Sequence, residues 1–263
     1  MRTVGFFIVG VQKGGTTALD RYLRQSPFVQ MADVKELHFF DNDNLDWSDP
    51  DYRYLHEHFE WSDCGLVRGE ATPRYIYWPN ALERIRCYNA GSKLIVSLRH
   101  PSYRAYSHWR MEIQRSEETL SFEDAIAEVG RSRVSNAEGG VHRVYSYVER
   151  GFYAPQIRRL RELFPPEQLL FLKTDDLWTE TRNTLARVYR FLNLSTPVST
   201  ERAYVSPIYS AEIGTINSDI LQKLNGLFAA DIDETSGLTG LTLADWLRPD
   251  YEEPMVPTRS MVK

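Results

Sequence analysis

Apolar positions along this chain follow two rhythms. Short unbroken runs at residues 5–10 (GFFIVG), 93–98 (KLIVSL) and 169–173 (LLFLK) have the length and β-branched content of strands buried on both faces. Between them the apolar residues recur every three to four positions. Residues 16–25 (TTALDRYLRQ) place Ala18, Leu19, Tyr22 and Leu23 on one helical face, and residues 79–89, 121–129, 153–163, 176–192 and 216–229 also read as helices. Residues 66–68 are a candidate short strand, and Pro101 suits the first turn of the helix after the second run. Residues 130–143 (GRSRVSNAEGGVHR) break both rhythms and read as a loop, a candidate lid; residues 249–263 read as a loose tail.

Strands alternating with helices predict an α/β fold, a three-layer α/β/α arrangement around a mainly parallel central sheet. The length, 263 residues, reads as a single domain spanning 1–263.

The first apolar run opens directly into GVQKGGTT, residues 10–17. Strand, glycine-rich loop and helix form the arrangement in which backbone N–H groups and the positive end of the helix dipole face an anion. Gly14, Gly15, Thr16 and Thr17 are the candidate donors. The nucleoside-triphosphate pattern sets a lysine after the second glycine. Here Gly10 and Gly15 have the spacing, but Thr16 stands in that place and Lys13 lies inside the loop, where it reaches the outermost atoms of a shorter ligand.

Composition narrows the partners. A formal net charge of −5 argues against nucleic acid, which demands a basic face. Cys64 and Cys87 make no disulfide framework and no metal spacing, so a reduced, cytoplasmic setting is the default expectation. The apolar run at residues 4–11 is interrupted by glycines and too short to cross a bilayer, so no membrane association is expected. His56 and His58 lack a third ligand in register, and no metal is expected.

GVQKGGTT resembles the 5′-phosphosulfate loop of the sulfotransferases that use 3′-phosphoadenosine 5′-phosphosulfate, which implies a P-loop-like fold and that nucleotide as donor. Residues 98–107, LRHPSYRAYS, resemble the family's 3′-phosphate motif, which implies that Arg99 and Ser107 grip that phosphate; read without the resemblance, Arg99 is equally a surface ion-pair partner. The family commonly has Asp after this Arg, where His100 stands here. Residues 35–41, KELHFFD, are similar to the segment bearing the catalytic acid in the heparan-sulfate-type branch. The resemblance implies Glu36 as general base, with His38 orienting it or the acceptor. In an extended strand Glu36 and His38 would share one face; the bland alternatives are a solvated Glu36 and a packed His38. Residues 70–75, EATPRY, resemble the next acceptor-side motif within residues 35–78, but Ala71 replaces the lysine of the glycan branch. The family's late glycine–lysine loop has no counterpart in residues 201–212.

The resemblance implies transfer of a sulfuryl group to a hydroxyl, or an amine, with Lys13 neutralising charge on the leaving oxygen. Between residues 41 and 63 eight acids face a single base, Arg53. Such a field favours a small neutral or cationic metabolite over an anionic glycan, and a role in secondary metabolism, with a carbohydrate or glycolipid acceptor as the alternative. Oligomeric state is not legible. Two other classes stay open: a small-molecule kinase needing ATP and Mg²⁺, and a non-catalytic nucleotide-binding protein.

Overall fold

The computed structural model describes residues 2–195 and 216–254. Its strands are β1 (Phe6–Gly10), β2 (Val29–Met31), β3 (Val67–Ala71), β4 (Lys93–Leu98) and β5 (Leu169–Lys173). Its helices are α1 (Thr16–Arg24), α2 (Arg53–Glu57), α3 (Ala81–Tyr88), α4 (Pro101–Gln114), α5 (Phe122–Ile126), α6 (Glu128–Ser135), α7 (Tyr153–Leu163), α8 (Thr174–Thr179), α9 (Thr181–Phe191) and α10 (Ser218–Thr239).

These elements form two compact units. The first runs up to Leu98 and resumes at Arg159, inside α7, and contains the whole sheet; the second is built from Arg99–Arg158 and from α10 to Glu253. The sheet order is β2-β3-β1-β4-β5 and every pairing is parallel.

Central β1 is buried at all five positions, as an unbroken apolar run requires. Successive side chains point to opposite faces. Phe6 and Ile8 join Ala18, Leu19, Leu177 and Val188, from α1, α8 and α9, in one core. Phe7 turns the other way, against the rings of Phe40 and Tyr88, the latter on α3. Helices therefore cover both faces of a parallel sheet, the α/β arrangement that the alternating pattern predicts. Burying a side chain such as Phe6 contributes roughly 1.5–3 kcal/mol.

Several expectations are corrected. Residues 130–143 are not a loop throughout: residues up to Ser135 belong to α6. Gly130 is the reason the pattern misleads, because a Cβ there would lie 2.2 Å from the carbonyl oxygen of Ala125, so only glycine lets α6 follow α5 so tightly. Residues 176–192 form two helices, α8 and α9, broken at Glu180. Helix α10 outruns its expected end because Leu224, Phe228, Ile232 and Thr235 continue one buried stripe, and it stops at Gly240, whose φ of 70° suits a left-handed cap. The tail is anchored where it is described: Tyr251 stacks on His100 at 5.0 Å and Glu253 pairs with Arg99. Residues 201–212 and 255–263 lie outside the described residues.

Candidate active site

The loop leaving β1 is shaped for an anion. Its backbone turns left-handed at Lys13 (φ 71°) and Gly15 (φ 77°), and the first intrahelical bonds of α1 run from Ala18 and Leu19 to the carbonyl of Gly15. The N–H groups of Gly15, Thr16 and Thr17 thus precede the helical ladder and stand at the positive end of the dipole. Gly14 is different from what its place in the motif predicts. Its N–H donates to the carbonyl of Val11 at 2.8 Å and so closes the turn of the loop. A Cβ at Gly14 would sit 2.3 Å from the carbonyl oxygen of Ser97. The loop is pinned from β4 and α8: Val11 N–H donates to Ser97 O (3.0 Å), and the buried Thr174 hydroxyl donates to Gly14 O (2.9 Å).

One strand away, residues 35–41 pack at the C-terminal end of β3. They are not extended. Glu36 (φ 64°) and His38 (φ 53°) are both left-handed, so their proximity arises from a kinked segment and not from the two-residue repeat of a strand. His38 Nε2 lies 3.7 Å from a carboxylate oxygen of Glu36. Its Nδ1 faces the fully buried Asp41 at 3.1 Å, and Arg74 donates to Nε2 at 3.3 Å while also pairing with Asp41. Lys35 bonds the other Glu36 oxygen.

Burial pushes the Glu36 carboxyl up, but the nearby His38 ring and the Lys35 ammonium bonded to it outweigh burial and hold the group well below the usual carboxylate range. Burial pulls His38 down, yet its hydrogen bonds to Asp41 and Glu36 prevail and leave its pKa raised. The cluster pairs an ionised carboxylate with a basic imidazole, a combination that can take a proton from a hydroxyl and pass it on.

The kinked segment is gripped by residues 70–75. Glu36 N–H donates to Ala71 O (3.0 Å), Leu37 N–H to the Glu70 carboxylate (3.3 Å), His38 N–H to the Thr72 hydroxyl (3.4 Å), and Phe39 and Phe40 N–H to the Tyr75 hydroxyl (3.1 and 3.5 Å). Asp41, Glu70, Thr72 and Arg74 are thus site residues to which sequence reasoning gave no role, although all four lie inside the KELHFFD and EATPRY stretches.

The Sulfotransferase domain family matches residues 5–210. This chain belongs to the sulfotransferase family. Human heparan sulfate glucosamine 3-O-sulfotransferase 3B1 is 29% identical over 234 residues, 86% of this chain and 56% of that protein. Mouse heparan sulfate glucosamine 3-O-sulfotransferase 5 is 30% identical over 238 residues, 86% of this chain and 64% of that protein. The chain spans between 56% and 64% of the length of these curated relatives. In fold it is similar to a sulfotransferase from Alicyclobacillus acidocaldarius, with a TM-score of 0.79 at 24% identity over 94% of this chain and all of that one.

In this chain Arg99 and Ser107 belong to the second unit. Arg99 follows the last residue of β4, and its guanidinium forms a two-pronged pair with Glu253, both contacts at 2.5 Å. The Tyr153 hydroxyl donates to the Arg99 carbonyl at 2.7 Å; Tyr153 is 1% exposed and serves as a strut inside its unit. His100 replaces a carboxylate as the cap of α4: its Nδ1 accepts the Ser102 N–H at 3.3 Å and Nε2 donates to Trp246 O at 3.0 Å. Ser107 is buried on α4.

His56 and His58 diverge, to Tyr88 and to Asp33. Among the described residues no group of His, Cys, Asp and Glu is arranged to hold a metal ion, and no helix is long and apolar enough to cross a membrane. Trp47 packs against Phe39 and Phe40, Trp61 against His56, and Trp109 against Phe122.

Proposed function

We propose that this protein transfers a sulfuryl group from 3′-phosphoadenosine 5′-phosphosulfate to a hydroxyl of a carbohydrate acceptor of the glucosamine-containing type that the curated relatives are named for. The observation that carries the reading is positional. The lysine-bearing glycine loop and the Glu36, His38, Asp41 cluster sit at the C-terminal ends of β1 and β3, which are adjacent parallel strands. Ligands bind at that edge of open α/β sheets.

The donor supplies an activated sulfur and a bisphosphate leaving group. The N–H groups of Gly15, Thr16 and Thr17 face its 5′-phosphate, and Lys13 neutralises the charge that builds on the leaving oxygen. Glu36 accepts the proton of the attacking hydroxyl and hands it to His38 Nε2, while Asp41 stabilises the resulting imidazolium through Nδ1. Arg99 and Ser107 hold the 3′-phosphate, for which Glu253 must give up its guanidinium.

Part of the acidic run that favoured a small-metabolite acceptor is engaged in ion pairs. Asp41 is committed to His38 and Arg74, Asp43 to Arg84 and Trp78, and Asp51 to Arg53. Carboxylates engaged in this way repel an anionic chain far less than a free acidic face would.

The test is transfer of labelled sulfate from the donor to heparan-type oligosaccharides and, in parallel, to a panel of small hydroxylated metabolites. Calorimetric titration with 3′-phosphoadenosine 5′-phosphate and with ATP and Mg²⁺ accompanies it. Transfer to the oligosaccharide with preferred binding of the bisphosphate supports the reading. Transfer to small alcohols alone would restore the metabolite acceptor, and preferred binding of ATP would replace transfer of sulfate by transfer of phosphate.

A further inference from the structure

Glu70 is an uncommon choice for its position. It is the penultimate residue of β3, with no exposed surface, opposite the apolar Phe7 of β1. Its Oε2 is buried without a hydrogen-bond partner, and burial raises its pKa to about 7. A buried carboxylate is costly, and one with an unsatisfied oxygen calls for a specific reason. Nothing in the proton transfer proposed above uses it.

Its other oxygen supplies the reason. Oε1 accepts the Thr72 hydroxyl at 2.5 Å and the Leu37 N–H at 3.3 Å. Leu37 stands between Glu36 and His38, the two left-handed residues of the site, a conformation that neither residue type favours by itself. Thr72 in turn receives the His38 N–H. One carboxylate oxygen therefore anchors the centre of the kink directly and its far side through a single hydroxyl. Charge strengthens an acceptor, so above about pH 7, where Glu70 is mostly ionised, its carboxylate holds these donors better than an amide would.

We propose that Glu70 is a positioning residue: its carboxylate fixes Leu37 and thereby the left-handed pair that turns the Glu36 and His38 side chains toward each other. The catalytic part of this role rests on the assignment of Glu36 and His38 given above. The groups facing Glu70 are the Thr72 hydroxyl, the Leu37 N–H, the Lys35 and His38 charges of the gripped segment, and Tyr75.

The test uses Glu70→Gln, which keeps the shape, and Thr72→Val, which removes the bridging hydroxyl, each compared with the unaltered protein by nuclear magnetic resonance. In both variants the amides of Leu37 and His38 exchange about tenfold faster while those of β1 and β4 do not change. The His38 ring titrates closer to 6.5 because it has lost Glu36. In turnover, kcat falls about tenfold or more with the affinity for 3′-phosphoadenosine 5′-phosphate unchanged. Unchanged exchange and titration at residues 36–40 in Glu70→Gln would overturn the proposal, as would equal loss of protection in β1 and β4, which would mark Glu70 as a general support of the sheet. Exchange and titration need no substrate, so a protein that transfers sulfate to no acceptor would sink the functional reading and leave the positioning role to be decided by these two measurements.

Discussion

His38 Nε2 lies 3.7 Å from the Glu36 carboxylate and faces an Arg74 donor at 3.3 Å, so the one nitrogen has a different partner in each protonation state. Protonated, it donates toward Glu36 and keeps that carboxylate weakly basic. Neutral, with its proton on Nδ1 toward Asp41, it offers Nε2 as a lone pair to Arg74. In the proposed reaction, loss of the His38 proton therefore has two effects. It removes the positive charge that lies 3.7 Å from Glu36 and depresses it, and it creates the site to which the acceptor's proton would move.

The acid limb of kcat follows from this. Because the His38 pKa is raised, activity increases with pH through a value above 6.5. Asp41 raises that pKa and Arg74 lowers it, so Asp41→Asn moves the limb toward lower pH and Arg74→Ala toward higher pH. The linked stability has the opposite sense: a raised histidine pKa stabilises the fold below 6.5 and that contribution is lost as pH rises through the folded value. A pH–rate series on the three proteins checks the order. Limbs that coincide would remove His38 from the proton path.

The apolar rhythm made the strongest strands legible. β4 and β5 begin and end where their runs do, and β1 differs by one residue, because buried parallel strands need unbroken apolar sequence. β2 is three residues with a partly exposed centre, too short to announce itself. The chemistry was legible as residue types and not as geometry. Glu36 and His38 are indeed neighbours, but they meet through positive φ angles held by acceptors some 33 to 36 positions further along the chain, and no local pattern encodes such a tether. Gly14 shows the converse: a residue of the expected motif whose N–H is already spent on the turn.

Gly14→Ala tests that turn. The added methyl would lie 2.3 Å from Ser97 O and 2.9 Å from Val11 O, both backbone atoms, so the loop itself has to shift. A destabilisation of about 1–3 kcal/mol is expected, with a loss of bisphosphate affinity that exceeds any effect on the core. Thermal unfolding and calorimetric titration measure the two. An alanine variant that binds with wild-type affinity would show that the loop's placement does not depend on this approach.

If Arg99 holds a 3′-phosphate as proposed, its pair with Glu253 competes for the same guanidinium. Both side chains are about four-fifths buried and the pair is two-pronged, so Glu253 competes directly with a phosphate for the Arg99 guanidinium, and Glu253→Gln tightens binding of 3′-phosphoadenosine 5′-phosphate. Arg99→Ala loosens the same ligand by about tenfold or more, as expected for a lost charge-assisted bond to phosphate. Neither change alters binding of adenosine 5′-phosphosulfate, which has no 3′-phosphate. Equal effects on both nucleotides would remove Arg99 from that role.

Ala71 stands where the glycan branch of the family has lysine, and the simple expectation is that restoring the lysine improves an anionic acceptor. The packing argues the reverse. Ala71 is 2% exposed and belongs to the core with Phe6, Ile8 and Leu19, on the face of β3 opposite Glu70. A lysine there must force its stem through packed side chains, at a cost of about 1–3 kcal/mol. The cation beside His38 is instead Arg74, three residues further on, 16% exposed and braced by Asp41. Ala71→Lys should therefore lower the unfolding midpoint without improving transfer to sulfated oligosaccharide, whereas Arg74→Ala should raise KM for that acceptor more than for an uncharged one. A gain of anionic-acceptor turnover in Ala71→Lys would mean that the strand can open for the lysine, and would return the acceptor's cation to position 71.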